Sequence, residues 1–228
     1  MQKKNLLIII PARSRSKSIK NKNLISFKGK KLIEHSFLAS KFINENSKEV
    51  FCSTDSKIIQ KLAISKGIKS TPIRPYKISR DRSRDIEFVN HVIGIFSKER
   101  IFFKNGLILR PTNPNRTKTN LNLAYQKFLN SRKADSLKSI FPVEKTPFKT
   151  WIIKKDFLKI VAKVKSIKES FNAPRQILPE TFNQTGTYEF FKINYKSKIK
   201  SISGKKITYF KVSKFESLDI DNINDLII

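Results

Sequence analysis

The first run of apolar positions is Leu6-Leu7-Ile8-Ile9-Ile10, set between the polar start Gln2-Lys3-Lys4-Asn5 and Pro11. Consecutive apolar residues closed by a proline predict a strand buried on both faces, as in a parallel sheet. Residues 31–44 then carry Leu32, Ile33, Phe37, Leu38 and Phe42 at helical spacing. Residues 49–55 read as a short strand ending in a polar turn, where Ser56 or Asp55 can cap a helix over 57–66 that Gly67 ends. Residues 68–73 lead into Arg74-Pro75. A helix follows over 86–96 with Ser83 or Asp85 as its cap, then a strand over 105–109, a helix over 121–128 and a strand over 135–143. This alternation predicts an α/β layered fold with a mostly parallel sheet.

The pattern changes after residue 143. Residues 151–164 form two polar–apolar segments rich in lysine, an excursion from the sheet such as a hairpin or arm, of the kind that packs on a second subunit. Residues 171–180 are irregular, with Pro174 and Pro179. Strands return at 188–193 and 207–212, and an acidic loop over 217–225 leads into a short helix expected at 223–228.

The length, 228 residues, suits one large domain, or one with a small insertion, and a 39% apolar fraction is enough for a core. Lys and Arg number 48 against 18 Asp and Glu, a net charge of +30. That charge has two readings, a polyanionic partner or a composition bias. The lysines are scattered singly, with no basic tail, Arg/Gly-rich tract or finger spacing, so bias is the favoured reading and nucleic acid is not the expected partner. One cysteine, Cys52, excludes an internal disulfide framework and a cysteine-based zinc site and reads as a buried thiol. The apolar run near the start is too short for a secretory signal, and no stretch reaches the length of a membrane span. The expectation is a cytoplasmic protein without a membrane partner.

Four clusters carry candidate chemistry. From residue 1 to 33 there are ten basic residues and no acidic one. The first strand delivers Arg13, Arg15, Lys17 and Lys22 into a loop where α/β folds bind phosphates; these cations suit a triphosphate, although an exposed basic turn has the same composition. The glycines of a nucleotide-triphosphatase P-loop are absent. Asp219 and Asp221 alternate on an extended segment, so both carboxylates point to one side and can hold a hard cation such as Mg²⁺; a solvated turn with a helix cap is the plainer reading. The loop from Arg110 to Arg116 lies at a strand's end, where substrate contacts gather. Arg175 and Gln176, with Gln184-Thr185-Gly186, suit an anionic, hydroxyl-rich ligand. His35 and His91 sit on predicted helices and read as surface residues. Asp55 and Asp81 can orient basic residues. Tyr76, Phe102 and Phe103 are expected in the core rather than as an RNA-stacking surface.

In order, these segments resemble the acylneuraminate cytidylyltransferase family. Residues 9–24, IIPARSRSKSIKNKNL, are similar to the family's IIPARGGSKGIPRKNI. Residues 28–33 resemble NGKPLI, Ser53-Thr54-Asp55 resembles STD, and Arg74-Pro75 with Asp81 resembles RP followed by D. Residues 109–116, LRPTNPNR, resemble LQPTSPLR; residues 175–182 resemble RQxLPExY; Gln184-Thr185-Gly186 resembles a QTG variant; and residues 217–226 resemble SxDIDxxxDL. The resemblance covers nearly the whole chain. It implies a three-layer Rossmann-like nucleotide-diphospho-sugar transferase fold over 1–228, with a dimerisation excursion over 144–172 and a homodimer built through it. It implies transfer of CMP from CTP to a nonulosonic, sialic-acid-like sugar acid with release of pyrophosphate, Mg²⁺ being the cofactor. Arg13, Lys22 and Asp219 would be catalytic. Ala12, Arg13, Ser16, Lys22, Asn23, Arg74 and Arg110 would bind nucleotide. Arg110, Asn113, Arg175, Gln176 and Gln184 would bind the sugar acid, and Asp219 and Asp221 the metal. The chain departs from the family where its glycines become Ser14, Arg15 and Ser18, its proline becomes Lys20, and its glutamine becomes Arg110. A 3-deoxy-manno-octulosonate substrate, or a non-catalytic basic protein on the same fold, are the competing readings.

Overall fold

The computed structural model describes residues 1–16 and 18–227. Its elements in chain order are β1 (Gln2–Pro11), β2 (Ser26–Phe27), β3 (Lys30–Lys31), α1 (Leu32–Phe42), β4 (Lys48–Ser53), α2 (Lys57–Ser65), α3 (Asp85–Lys98) and β5 (Ile101–Ile108). They continue with α4 (Lys118–Asn130), β6 (Ser136–Pro142), β7 (Trp151–Lys154), β8 (Phe157–Ile160), β9 (Phe182–Lys192) and β10 (Ile207–Lys211). The six long strands form one sheet in the order β10-β6-β9-β5-β1-β4. β1 pairs in parallel with β4 (Ile10 opposite Cys52) and with β5 (Ile9 opposite Ile108), whereas β9 runs antiparallel to β5. The α/β fold with a largely parallel sheet is therefore as the alternation predicts.

β1 lies inside the sheet with Leu6 to Ile10 fully buried, which is why its apolar run shows no alternation. α3 lays Phe88, Val89, Val92, Ile93 and Phe96 against it, and Phe96 meets Phe51 and Phe103 edge to face. Gly106 stands opposite Phe191, whose ring fills the space a β-carbon would need, 2.2 Å away. On another flank Tyr125 and Phe128 of α4 stack on Phe190.

The chain divides into two compact units, 1–139 with 185–228, and 140–184. The second holds the β7–β8 hairpin and the short turn Arg175–Ile177. The excursion expected over 144–172 falls inside it.

Boundaries move for local reasons. Ser56 caps α2 by accepting from the Ile59 N–H at 3.3 Å, as expected. α3 begins at Asp85 with Arg84 as N-cap and no side-chain cap, so Ser83 and Asp85 do not cap it. The helix expected at 223–228 is a 3₁₀ turn, Ile223–Leu226, closed by a reciprocal Asn222–Asp225 cap; residue 228 lies outside the described residues. Cys52 is a buried free thiol. Phe103 belongs to the core, but Tyr76 is 60% exposed, contrary to expectation, because it sits on a one-turn 3₁₀ segment after Pro75 with no apolar layer above it. His35 bonds the Phe27 carbonyl oxygen through Nε2 at 2.9 Å. His91, partly buried on α3, keeps a buried Nδ1 without a partner among the described residues.

Candidate active site

Three parallel strands end on the same side of the sheet, and their loops form the walls of a cleft of about 300 Å³. After β1 the chain passes Ala12, whose N–H reaches the Ser53 carbonyl at 2.9 Å, keeping the loop root in register with β4. Arg13 follows, its carbonyl accepting from Asn23 Nδ2 at 2.9 Å, so the loop folds back on itself. β4 delivers Thr54 and Asp55, and Arg74 is tied there by its N–H to the Thr54 carbonyl at 2.7 Å. β5 delivers Arg110, Pro111 and Thr112. The C-terminal segment docks on this last loop through Ile220 N–H to Thr112 O (2.8 Å) and Asn113 Nδ2 to Leu218 O (3.0 Å). Crevices at strand carboxyl ends are the usual ligand sites of such sheets.

Six cations line the cleft, Arg13, Arg15, Lys22, Arg74, Arg80 and Arg110, against the carboxylates Asp81, Asp85 and Asp221. The surplus of positive charge is what a polyphosphate requires. Each carboxylate is paired with a cation: Asp81 with Arg13 at 2.6 Å, Asp221 with Lys22 at 2.9 Å, and Asp85 with Arg110. Among the described residues, Arg15, Arg74 and Arg80 have no carboxylate partner. Arg74 is the most telling of the three. It is 5% exposed, rests on the Phe88 ring, and leaves Nε and one terminal nitrogen without partners among the described residues. Burial pushes it below its ordinary value, while Asp55 opposes that shift. A buried guanidinium with open donors is costly unless something polar binds it.

Ser14, one of the departures noted in the sequence, is held in place: its N–H and hydroxyl donate to the two oxygens of Asp55 at 2.6 and 2.8 Å. Arg110 is embedded in a network with Asp85 and Glu189, and Glu189 also contacts Lys138. Glu189 and Lys138 are buried, and nothing in the sequence marked them, since one acid within an apolar strand reads as its solvent face. The Arg110 stem crosses Gly186, where a β-carbon would meet Arg110 Cδ at 2.8 Å and Asn113 Oδ1 at 2.2 Å. The three positions are therefore coupled sterically.

The structure gathers Arg13, Ser16, Lys22, Asn23, Arg74, Arg110 and Asp221 on one cleft. Ala12 and Asn113 are fully buried, Ala12 at the loop's root and Asn113 in the wall. Arg116 is also buried, holding the Thr187 and Arg110 carbonyls at 2.8 Å, so this end of the Arg110–Arg116 loop braces the wall instead of facing a ligand. Lys17 lies outside the described residues. Arg175 and Gln176 line a separate hollow within the second unit, where Arg175 donates to the Val143 carbonyl at 3.0 Å; Gln184 is exposed on β9.

Asp219 and Asp221 flank buried Ile220. Burial raises the Asp219 carboxyl above its ordinary value, Asp221 adds to the rise, and Thr112 and Lys22 counter it. Two carboxylates that repel one another, with the Lys22 ammonium on the second, make a donor set that fits a small divalent cation. The described residues contain no cluster of three or more ligating acids, histidines or cysteines. No helix among them is long and apolar enough to cross a membrane.

The cytidylyltransferase family profile matches residues 7–102. The chain is 30% identical over 142 residues to the CMP-N,N'-diacetyllegionaminic acid synthase of Legionella pneumophila, covering 62% of this chain and 60% of that protein. It is 26% identical over 224 residues to the N-acylneuraminate cytidylyltransferase of Streptococcus agalactiae, covering 97% of this chain and 51% of that protein. The chain thus spans between half and three-fifths of the length of these relatives. Among solved structures, CMP:2-keto-3-deoxy-manno-octonic acid synthetase in complex with CTP superposes with a TM-score of 0.68 at 15% identity, covering 97% of this chain and 95% of that one, which establishes the shared fold.

Proposed function

We propose that this chain, which carries a cytidylyltransferase domain related to the acylneuraminate cytidylyltransferases, transfers CMP from CTP to a nonulosonic sugar acid. The observation that carries this reading is the buried Arg74 with open donors, placed in a cleft with a surplus of cations at the ends of β1, β4 and β5. In the proposed reaction the sugar's anomeric hydroxyl oxygen bonds to the α-phosphorus, the bond from that phosphorus to the bridging oxygen breaks, and pyrophosphate leaves with the electron pair. The hydroxyl proton passes to solvent. Arg13 and Lys22 exchange their carboxylate partners, Asp81 and Asp221, for phosphate oxygens and balance charge as it moves to the leaving group. Asn23 holds the loop that carries Arg13. Arg74 gives its free donors to the nucleotide. Arg110, fixed between Asp85 and Glu189, presents a rigid edge to whichever substrate reaches it.

Asp219 and Asp221 are the residues that would hold Mg²⁺, which when bound would neutralise phosphate charge. Arg175, Gln176 and Gln184 are assigned to the sugar acid on their chemistry, a planar cation and two amides. The second unit exposes Ile152, Ile153, Phe157 and Leu158 on its hairpin, each more than half accessible, and these are assigned to a homodimer contact. The reaction is assigned to the cytoplasm because CTP is its substrate. The test is pyrophosphate release with each nucleoside triphosphate and a panel of nonulosonic and octulosonic acids. Release with CTP and a nonulosonic acid supports the reading. Release only with an octulosonic acid moves the substrate, and none with any pair removes the reaction.

A further inference from the structure

Beside the cleft is a hollow of about 430 Å³ whose lining includes Arg15, Tyr76, Ser79, Arg80, Asp81 and Arg82. The Arg15 guanidinium carbon lies 5.5 Å from the Tyr76 ring centroid, and that of Arg80 lies 5.8 Å from it. One exposed phenol thus gathers two like charges. Attraction to the ring face offsets part of their repulsion. Among the described residues, Asp81 is the hollow's one carboxylate, and it also serves Arg13 in the inner cleft. Three guanidinium groups therefore line a hollow whose one described carboxylate is already paired with Arg13. Arg15, Ser79 and Arg80 line both spaces, so the hollow is continuous with the cleft.

We propose that the Arg15–Tyr76–Arg80 cluster is an outer phosphate subsite that takes the distal phosphates of the nucleotide and then holds the departing pyrophosphate. The proposal rests on the cytidylyl-transfer reading and deepens it. Continuity with the cleft favours a chain of phosphates over an unrelated anion, because Arg15 and Arg80 line the same cleft as Arg13 and Lys22. Paired guanidinium groups suit pyrophosphate, whose several oxygens can accept from both planar forks. Arg15 stands where the family pattern has glycine, so a chain with that glycine lacks this contact.

The test is calorimetric titration of the intact protein with inorganic pyrophosphate and, separately, with CMP. Arg15→Gly and Arg80→Ala should each weaken pyrophosphate binding about tenfold and leave CMP within twofold of the parent. Tyr76→Ala should weaken pyrophosphate in the same direction, and Tyr76→Phe, which keeps the ring, should not. Pyrophosphate affinity within twofold of the parent in both arginine variants overturns the proposal, as does an equal loss for CMP. Turnover separates this from the reaction itself. Arg15-dependent pyrophosphate binding in a protein that does not turn over CTP keeps the subsite and removes the reaction; turnover with Arg15-independent binding does the reverse.

Discussion

Glu189 supports two cations from inside the sheet, and Glu189→Gln isolates what that support is worth. Its side chain is 4% exposed and contacts Lys138, which is 9% exposed, and Arg110, which is 27% exposed. Removing one partner of a buried pair costs about 3–5 kcal/mol because the other charge stays behind without compensation. Lys138 can escape part of that cost by losing its proton. Burial, aided by the Arg110 charge and opposed by Asp85, pulls it from 10.5 to about 8 in the parent, where the adjoining Glu189 carboxylate favours the charged form. In the variant that support is gone and the value falls further. The unfolded chain keeps the Lys138 proton up to about 10.5, whereas the folded variant releases it at or below about 8. Across that window the unfolded state binds more protons, so the variant gains stability as pH rises. The gap is worth up to about 3 kcal/mol. Urea denaturation of both proteins from pH 5.5 to 8.5 is the assay. The expected loss is about 3 kcal/mol at pH 6, equivalent to a thermal-midpoint drop of roughly 6–12 °C for a chain of this size, shrinking as pH rises to about 8, where Lys138 of the parent also loses its proton. Adding Lys138→Met to the variant should restore about 2 kcal/mol at pH 6. A loss under about 1 kcal/mol at pH 6, or one constant from pH 5.5 to 8.5, refutes the reasoning.

Arg74→Met should raise KM for CTP at least tenfold while leaving urea stability equal to the parent or about 1 kcal/mol higher, since it removes a buried cation with open donors; a clear loss of stability with unchanged KM would show a structural role. Asp219→Asn should reduce Mg²⁺-dependent turnover at least a hundredfold. In the parent the acid limb of the rate profile should fall above the ordinary aspartate value, because burial raises this carboxyl; retained turnover in the variant, or a limb at the ordinary value, contradicts the assignment. Gly186→Ala should cost about 1–3 kcal/mol in denaturation experiments by forcing Arg110 and Asn113 apart, and Arg110→Gln in the same chain should recover part of that loss.

What the sequence disclosed depends on how local each signal is. β1 was legible because burial on both faces leaves an unbroken apolar run, and the cations after it were legible because a loop with no acid is rare in any chain. Asp55 and Asp81 were read as orienting basic residues, and Asp81 does grip Arg13. Tyr76 was misread as core, since nothing in its neighbours reveals that Pro75 turns the ring outward. The buried acids Glu189 and Glu216 were invisible for a related reason. Each is satisfied by partners distant in sequence: Glu189 by Arg110 and Lys138, and Glu216 by the Tyr188 hydroxyl at 2.5 Å and Asn120 Nδ2 at 2.7 Å. The start of β9 was placed late because Phe182 to Thr185 is polar and partly exposed, so the strand shows no alternation there. The β2–β3 hairpin was missed because two-residue strands leave no period; its turn, with Lys28 at φ 47° and Gly29 at φ 75°, is the only local trace.

Cytidylyl transfer is tested most directly by following the phosphorus resonances of CTP mixed with the purified protein, Mg²⁺ and a nonulosonic acid. The expected result is loss of the three CTP signals with equal growth of one phosphodiester signal and pyrophosphate, dependent on the acid and lost in Lys22→Met. CTP that persists unchanged with every acid, or that decays to CDP and phosphate without a phosphodiester, contradicts the proposed reaction.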